Sequence, residues 1–352
     1  MEITVAIGVR PHYVKASGLQ YVLRDTGISL KFLDLHQHYD KCLRDIYVNE
    51  GNLQVACESK PIRSTGSDLE ELTRQIMEVS QWFVSEAGKR SRALIVFGDA
   101  TPAYSASIAA NRLNVPIIHI EAGVRRVTSE KEHWNSLITD QLSSLRYCYT
   151  LKNVTDLQRE GLGNGSYLVG DLFAEWTIKE ANRDSLPIML DNYILVSIHR
   201  PQNCKSSIFR IICEVLKKEN KPVVWIIHPR TNNFTPIVEE GKNFYLLPSQ
   251  KHSDMLALID GAEFILTDSG GLVREGVLLE KKVIVCHEQG MWIDLVQSGA
   301  ILRADQDKDS IEKAVKYVKE HELPSGKKHF MVDGGEELFR KTLFDFLYAL
   351  ES

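Results

Sequence analysis

The sequence lacks the features that mark membrane, secreted and nucleic-acid-binding proteins. No apolar run among its 352 residues is long enough to cross a bilayer. The first residues, MEITVAIGVRPHYVK, have the pattern of an apolar strand rather than that of a secretion signal. The formal net charge of -5 provides no basic excess for nucleic acid. We therefore expect a cytoplasmic protein with neither a nucleic-acid nor a membrane partner.

Clustered cysteines and a dinucleotide-binding motif are also missing. The six cysteines are scattered and contain no Cys-x-x-Cys pair, so the spacing of a zinc site is not found. This usage is typical of reduced cysteines in or near a core. No Gly-x-Gly-x-x-Gly follows the first apolar run, which argues against a dinucleotide cofactor. We expect no metal and no cofactor.

Short apolar runs alternate with longer helical patterns along the chain. They predict strands at 3–9, 30–35, 93–98, 116–121, 147–151, 193–199, 222–228, 243–248, 263–268 and 281–286. Continuous apolar strands separated by helices indicate parallel sheets covered on both faces. The sequence therefore predicts an α/β fold of two Rossmann-like, doubly wound domains, residues 1–170 and 171–333, facing a central cleft. An amphipathic helix in 334–352 is expected to pack back toward the first domain.

Polar residues follow several predicted strands, at the sheet edge where open α/β folds bind ligands. Ser269, Gly270 and Gly271 begin a predicted helix, whose N–H groups and dipole favour an anion such as phosphate. Glu275, one turn inside that helix, has the position to accept hydrogen bonds from ribose hydroxyls. An ordinary N-cap with a capping acid would give the same pattern.

Cations follow the first strand in the same way. Arg10 and Lys15 together can neutralise a diphosphate, and arginine provides the planar fork that suits phosphate oxygens. The alternative for these residues, and above all for Lys15, is a solvated helix face.

Proton-transfer chemistry needs carboxylates or histidines that converge. Asp99 and Glu121 end neighbouring predicted strands, and Glu132 follows in a polar loop or helix start. Carboxylates gathered in one cleft can divide the work of acid and base. His199 and His228 end strands of the second half, where a histidine serves either as an acid or phosphate donor or as a structural residue.

Together these motifs resemble the non-hydrolysing UDP-N-acetylglucosamine 2-epimerases, which share the two-domain GT-B-like fold. The match runs through nearly the whole chain in order and spacing. The matching pieces are Gly8-Val9-Arg10-Pro11 with Lys15, Gly98-Asp99-Ala100, His119-Ile120-Glu121-Ala122-Gly123-Val124-Arg125, Glu132 before Asn135, Thr139-Asp140, Val169-Gly170-Asp171, His199-Arg200-Pro201-Gln202-Asn203, His228-Pro229 and Thr267-Asp268-Ser269-Gly270-Gly271.

The resemblance implies an enzyme that inverts C2 of a UDP-linked N-acetylated sugar by eliminating and re-adding UDP, without metal or nicotinamide. It implies a homodimer and a UDP-sugar substrate. The implied catalytic residues are Asp99, Glu121, Glu132 and His199. The implied substrate-binding residues are Arg10 and Lys15 at the diphosphate, Ser269, Gly270 and Gly271 as the phosphate loop, Glu275 at the ribose, and Arg200 and His228.

Some positions depart from the family pattern. Ser136 stands where the family usually has arginine, and Gln289-Gly290-Met291-Trp292 is closer to relatives that act on UDP-diacetamido-uronic acids. The activating-ligand segment of bacterial members is only partly present, as His36-Gln37-His38 with Asp40. A GT-B glycosyltransferase, a hydrolysing 2-epimerase and a nucleotide-sugar sensor without catalysis are therefore alternatives at this point.

Overall fold

The computed structural model describes residues 1–36, 41–58, 68–125, 131–181, 190–239, 243–286 and 292–351. The chain divides into two compact units, Met1–Trp176 with Phe330–Ser352, and Thr177–His329. In the part of the chain that is described, no helix has both the length and the apolar character needed to span a membrane.

The first unit is built on a seven-stranded parallel sheet with the order β3-β2-β1-β4-β5-β6-β7. Its strands are β1 (Glu2–Ile7), β2 (Ser29–Asp34), β3 (Val55–Glu58), β4 (Ser91–Phe97), β5 (Ile117–Ile120), β6 (Leu145–Cys148) and β7 (Ser166–Leu168). The helices that follow them are α1 (Arg10–Val22), α2 (Lys41–Glu50), α3 (Asp68–Val84), α4 (Thr101–Arg112), α5 (Lys131–Leu142) and α6 (Leu151–Arg159). The next helix, α7 (Ala174–Ala181), begins in the first unit and ends in the second.

The second unit repeats this plan on a six-stranded parallel sheet with the order β10-β9-β8-β11-β12-β13. Its strands are β8 (Tyr193–Ser197), β9 (Val223–Ile226), β10 (Phe244–Leu247), β11 (Ala262–Thr267), β12 (Lys282–Cys286) and β13 (Leu302–Ala304). Its helices are α8 (Ser206–Leu216), α9 (Thr235–Glu239), α10 (His252–Asp260), α11 (Gly270–Leu278), α12 (Ile293–Gln297) and α13 (Lys308–Glu320).

The central strands of both sheets are buried because nearly all their side chains are apolar. In β4, for example, the five residues from Ala93 to Phe97 are fully buried. Helices cover such strands on both faces, so the strands have no polar side. The two doubly wound parallel sheets confirm the predicted α/β fold class.

The last helix, α14 (Gly335–Ala349), belongs to the first unit. Its side chains Phe339, Leu343 and Leu347 are fully buried and join the core that β1 and α1 build. Spacings of four residues place these three side chains on one face of the helix.

Candidate active site

Each sheet has one place where the strand order reverses, and the predicted site residues lie there. In the first unit β1 and β4 are neighbours, and the chain winds outward from them in both directions. In the second unit β8 and β11 hold the same position. Ligands of open α/β sheets bind beyond the carboxyl ends of such a strand pair. Arg10 and Asp99 follow the first pair, and His199 and Ser269 follow the second.

Arg10 is the first residue of α1, and its guanidinium contacts a side chain of α2. Its Cζ atom lies 5.1 Å from the centre of the buried Tyr47 ring, a cation–π contact. The fully buried Asp34 ties the two helices together, because it accepts from the Tyr13 hydroxyl of α1 at 2.9 Å and from Arg44 Nε of α2 at 2.7 Å. Burial, together with the neighbouring Asp34, raises the pKa of Tyr13 far above its usual value, so its hydroxyl stays a donor.

Glu121 follows β5, and two side chains contact its carboxylate. Lys15 Nζ lies 2.5 Å from its Oε1 atom, and the Tyr149 hydroxyl donates to the same oxygen at 2.6 Å. Its Oε2 atom lies over Gly98, 3.0 Å from where a Cβ on that glycine would stand. Lys15, expected at a diphosphate, is therefore also the ion-pair partner of a predicted catalytic residue. Sequence reasoning missed Tyr149, since nothing in its spacing sets it apart.

Asp99 and Glu132 are linked through Asn135, which lies on the same helix as Glu132. Asn135 on α5 donates from Nδ2 to the Asp99 carbonyl at 3.0 Å. Glu132 lies in the first turn of the same helix. The structure thus brings the loop after β4, the end of β5 and the start of α5 together, and these three places carry the three predicted carboxylates.

A fourth carboxylate, Asp140, is fully buried and contacts the loop that follows Glu121. It accepts from the Gly123 backbone N–H at 3.1 Å and from Arg125 Nη1 at 2.7 Å, and its Oδ1 lies 2.7 Å from His119 Nδ1. Burial alone would raise the pKa of Asp140, but His119 and Arg125 lower it below its usual range. Asp140 therefore stays ionised and fixes the loop that follows Glu121.

Ser136 lies on α5 beside the same loop. Its hydroxyl donates to the Val124 carbonyl at 2.9 Å and is 3.4 Å from Arg125 Nη1. The side chain is buried. Ser136 therefore serves to fasten α5 to the loop after β5.

In the second unit, the buried Asp268 holds the loop after β8. Its carboxylate accepts from the backbone N–H groups of His199 at 3.0 Å and Arg200 at 2.8 Å, and from Asn203 Nδ2 at 2.8 Å. Arg200 Nε also donates to the Asp268 carbonyl at 2.9 Å. Asp268 thus positions two of the predicted residues.

The two predicted histidines stack on each other. The rings of His199 and His228 are 5.1 Å apart at an angle of 23°. His228 is also the N-cap of the 3-10 helix Pro229–Phe234, where its Nδ1 accepts from the Arg230 N–H at 3.2 Å. His228 therefore has a structural role of its own beside any contact with substrate.

The helix α11 begins at Gly270 with Ser269 as its N-cap, and the Ser269 hydroxyl accepts from the Leu272 N–H at 3.4 Å. The N-cap interpretation of this motif is therefore realised. Among the described residues, the one atom within 4 Å of a Cβ placed on Gly271 is Ser269 Oγ, at 4.0 Å. Packing inside the protein does not demand glycine there, which leaves the helix start open for an anion.

Glu275 is mostly buried on α11 and its Oε1 lies 3.1 Å from Nε2 of His252, the first residue of α10. A ribose hydroxyl bound by Glu275 would therefore share the carboxylate with His252. Sequence reasoning missed His252, because the two residues are far apart in the chain and belong to different helices.

Of the twelve predicted site residues, five lie in the first unit and seven in the second. Gln37, His38 and Asp40 fall outside the described residues, as do Gln289, Gly290 and Met291. No group of three or more metal-binding side chains occurs among the residues that are described.

Comparison with known proteins gives a consistent family. The model of the UDP-N-acetylglucosamine 2-epimerase family matches residues 21–335. The chain is 28% identical to the UDP-2,3-diacetamido-2,3-dideoxy-D-glucuronate 2-epimerase of Pseudomonas aeruginosa, covering 88% of this chain and 90% of that protein. It is 26% identical to the UDP-N-acetylglucosamine 2-epimerase of Methanocaldococcus jannaschii, covering 90% and 91%.

Solved structures share the fold. The UDP-GlcNAc 2-epimerase of Neisseria meningitidis bound to UDP-GlcNAc superposes with a TM-score of 0.84 at 21% identity, covering 98% of this chain and all of that one. The Methanocaldococcus jannaschii enzyme in complex with UDP-GlcNAc and UDP gives 0.80 at 23% identity, with coverages of 98% and 100%.

Proposed function

The chain belongs to the UDP-N-acetylglucosamine 2-epimerase family, and we propose that it inverts C2 of a UDP-linked N-acetylated sugar. The substrate is UDP-GlcNAc, giving UDP-ManNAc, or a close analogue such as a UDP-diacetamido-uronic acid. The observation that carries the proposal is the gathering of the Asp99, Glu121 and Glu132 segments beside the β1–β4 reversal, where Glu121 is held by Lys15.

The proposed reaction is an elimination followed by re-addition. A carboxylate takes the C2 proton, the C–H electron pair forms the C1–C2 double bond, and the C1–O bond breaks with its pair leaving on UDP. Re-addition of UDP with a proton delivered to the other face of C2 gives the epimer. One carboxylate cannot lie on both faces at once, so at least two of the three must share the proton transfers.

The nucleotide is assigned to the second unit. The open start of α11 at Gly271 suits a phosphate, and Glu275 suits a ribose hydroxyl. His199 and Arg200, fixed by Asp268, provide donors for the charge that develops on the leaving UDP. Arg10 is assigned to the diphosphate as a planar, always charged donor.

Proton NMR in D2O tests the proposal. The protein is incubated separately with UDP-GlcNAc and with a UDP-diacetamido-glucuronate, and the C2 proton signal is followed. Loss of that signal with appearance of the epimer, without released sugar, is the expected result. Free sugar would identify a hydrolysing epimerase, and transfer to an added acceptor a glycosyltransferase. Binding without exchange of either substrate would contradict the proposal and favour a sensor.

The relatives' names supply the two substrates of that experiment. One relative is named for UDP-N-acetylglucosamine and another for a UDP-diacetamido-glucuronate. A homodimer and a cytoplasmic location stay predictions of the sequence, which sedimentation and cell fractionation would check.

A further inference from the structure

Tyr149 and Lys15 converge on one oxygen of Glu121. The Tyr149 hydroxyl donates to Oε1 at 2.6 Å, and Lys15 Nζ is 2.5 Å from the same atom. We infer that Tyr149 is a positioning residue of the reaction, which together with Lys15 occupies Oε1 and leaves Oε2 as the oxygen that exchanges protons with the sugar. The inference rests on the proposed function and adds a residue and an atom to it.

The backbone of Glu121 is itself held in an unusual conformation. Glu121 has a φ of 70°, in the left-handed region that residues with a side chain seldom adopt. The N–H groups of Glu121 and Ala122 both donate to the Tyr147 carbonyl at 3.0 Å, which holds this turn at the end of β5. Such strained positions persist only where the surrounding structure fixes them.

The sheet register explains why Tyr149 is within reach. Strands β5 and β6 are parallel neighbours, and Ile120 pairs with Tyr147. By this register Glu121 lies level with Cys148, and Tyr149 is the next residue along the chain, close enough for its hydroxyl to reach the carboxylate. Oε2 meanwhile lies over Gly98, directly before Asp99.

The hydrogen bond from Tyr149 and the ion pair with Lys15 both stabilise negative charge on Oε1, so protonation of Oε1 would weaken both contacts whereas protonation of Oε2 keeps them. When the C2–H bond breaks, the proton can bond to Oε2, while the C–H pair forms the C1–C2 double bond and the C1–O pair leaves on UDP. A carboxylate held by Lys15 alone could turn and offer either oxygen. Tyr149 removes that freedom, which is the positioning effect that speeds a reaction without new contacts to substrate.

The test compares Tyr149→Phe with Tyr147→Phe. Both variants lose one tyrosine hydroxyl near the end of β6, but the Tyr147 hydroxyl pairs with Thr342 Oγ1 at 3.0 Å, away from Glu121. Tyr149→Phe is expected to slow C2 exchange about tenfold, the effect of losing one hydrogen bond to a charged group. UDP affinity by calorimetry should be unchanged, and Tyr147→Phe should exchange at the parent rate.

A double-variant comparison separates positioning from general stability. In a Glu121→Gln background, adding Tyr149→Phe should cause no further slowing, since Tyr149 acts through Glu121. If Tyr149→Phe does not fold, Tyr149→Gln replaces it and should exchange faster than Tyr149→Leu, because the amide keeps a donor.

The possible failures are distinguishable. A parent protein that exchanges no C2 proton with either UDP-sugar overturns the proposed function. If the parent exchanges the C2 proton and Tyr149→Phe does so at the same rate as Tyr147→Phe, the role of Tyr149 is overturned while the proposed function stands. The role of Tyr149 is also overturned if adding Tyr149→Phe to Glu121→Gln slows C2 exchange further.

Discussion

Replacing Gly98 by alanine tests the geometry of the first unit directly. Gly98 has a φ of 59°, its N–H donates to the Ile120 carbonyl at 2.9 Å, and its carbonyl faces His119 Nε2 at 2.8 Å. An alanine Cβ would stand 3.0 Å from Glu121 Oε2. The substitution therefore has two separate costs, one from the backbone and one from moving the carboxylate.

The two costs have different sizes and readouts. A left-handed conformation with a side chain costs about 1–2 kcal/mol of folding free energy. Relieving the 3.0 Å contact requires Glu121 to move by a few tenths of an ångström. A displacement of about 1 Å in an active site costs roughly 100-fold in rate, so we expect Gly98→Ala to slow C2 exchange about tenfold.

Gly27→Ala is the matched control. Gly27 has a φ of 74°, and no atom of the described residues lies within 4 Å of a Cβ placed on it. Both variants should lose about 1–2 kcal/mol in urea unfolding. Only Gly98→Ala should exchange the C2 proton more slowly, by NMR in D2O with UDP-GlcNAc. Equal exchange rates in the two variants would refute the assignment of Glu121 Oε2 to the reaction site.

Three further predictions concern the carboxylates. Each of Asp99→Asn, Glu121→Gln and Glu132→Gln should slow C2 exchange by ~10²–10⁴-fold while calorimetry still detects UDP binding; parent rates in all three would contradict the carboxylate mechanism. Glu275→Ala should weaken UDP binding by about 1–3 kcal/mol, because a charged acceptor for ribose is lost; unchanged affinity in a folded variant would remove Glu275 from the site. Asp140→Asn should lower the free energy of unfolding by about 3 kcal/mol at neutral pH. Since the pKa of Asp140 is lowered by folding, its contribution is present above the ordinary aspartate pKa and is lost as pH falls through the folded value. The difference between parent and Asp140→Asn in urea unfolding should therefore shrink below about pH 4; a difference that does not depend on pH would contradict this.

The sequence predicts the central strands and one edge strand, β10. Strands such as β4 and β8 are continuous apolar runs, because helices cover both their faces. The sequence does not predict the other three edge strands, β3, β7 and β13. They have three or four residues each and only one fully buried residue among them, Ala304, so no apolar run marks them.

The site shows the same division between what spacing reveals and what it does not. The strand-end positions of Asp99, Glu121 and His199 follow from the sequence because parallel strands all end at one edge. Their partners do not. Glu275 pairs with His252 through the packing of two helices, and Glu121 pairs with Lys15 and Tyr149 through side-chain directions and sheet register. Pattern reasoning contains no information about either.

The position of α14 has a consequence for how the protein is made. The first unit contains the beginning of the chain and also its last helix, whose Phe339, Leu343 and Leu347 complete the core around β1. A helix needs to leave the ribosome before it can pack, and domains otherwise tend to fold in the order of synthesis. The second unit can thus finish folding during translation, while the first, although its strands are synthesised earlier, keeps part of its apolar core uncovered until α14 has been made.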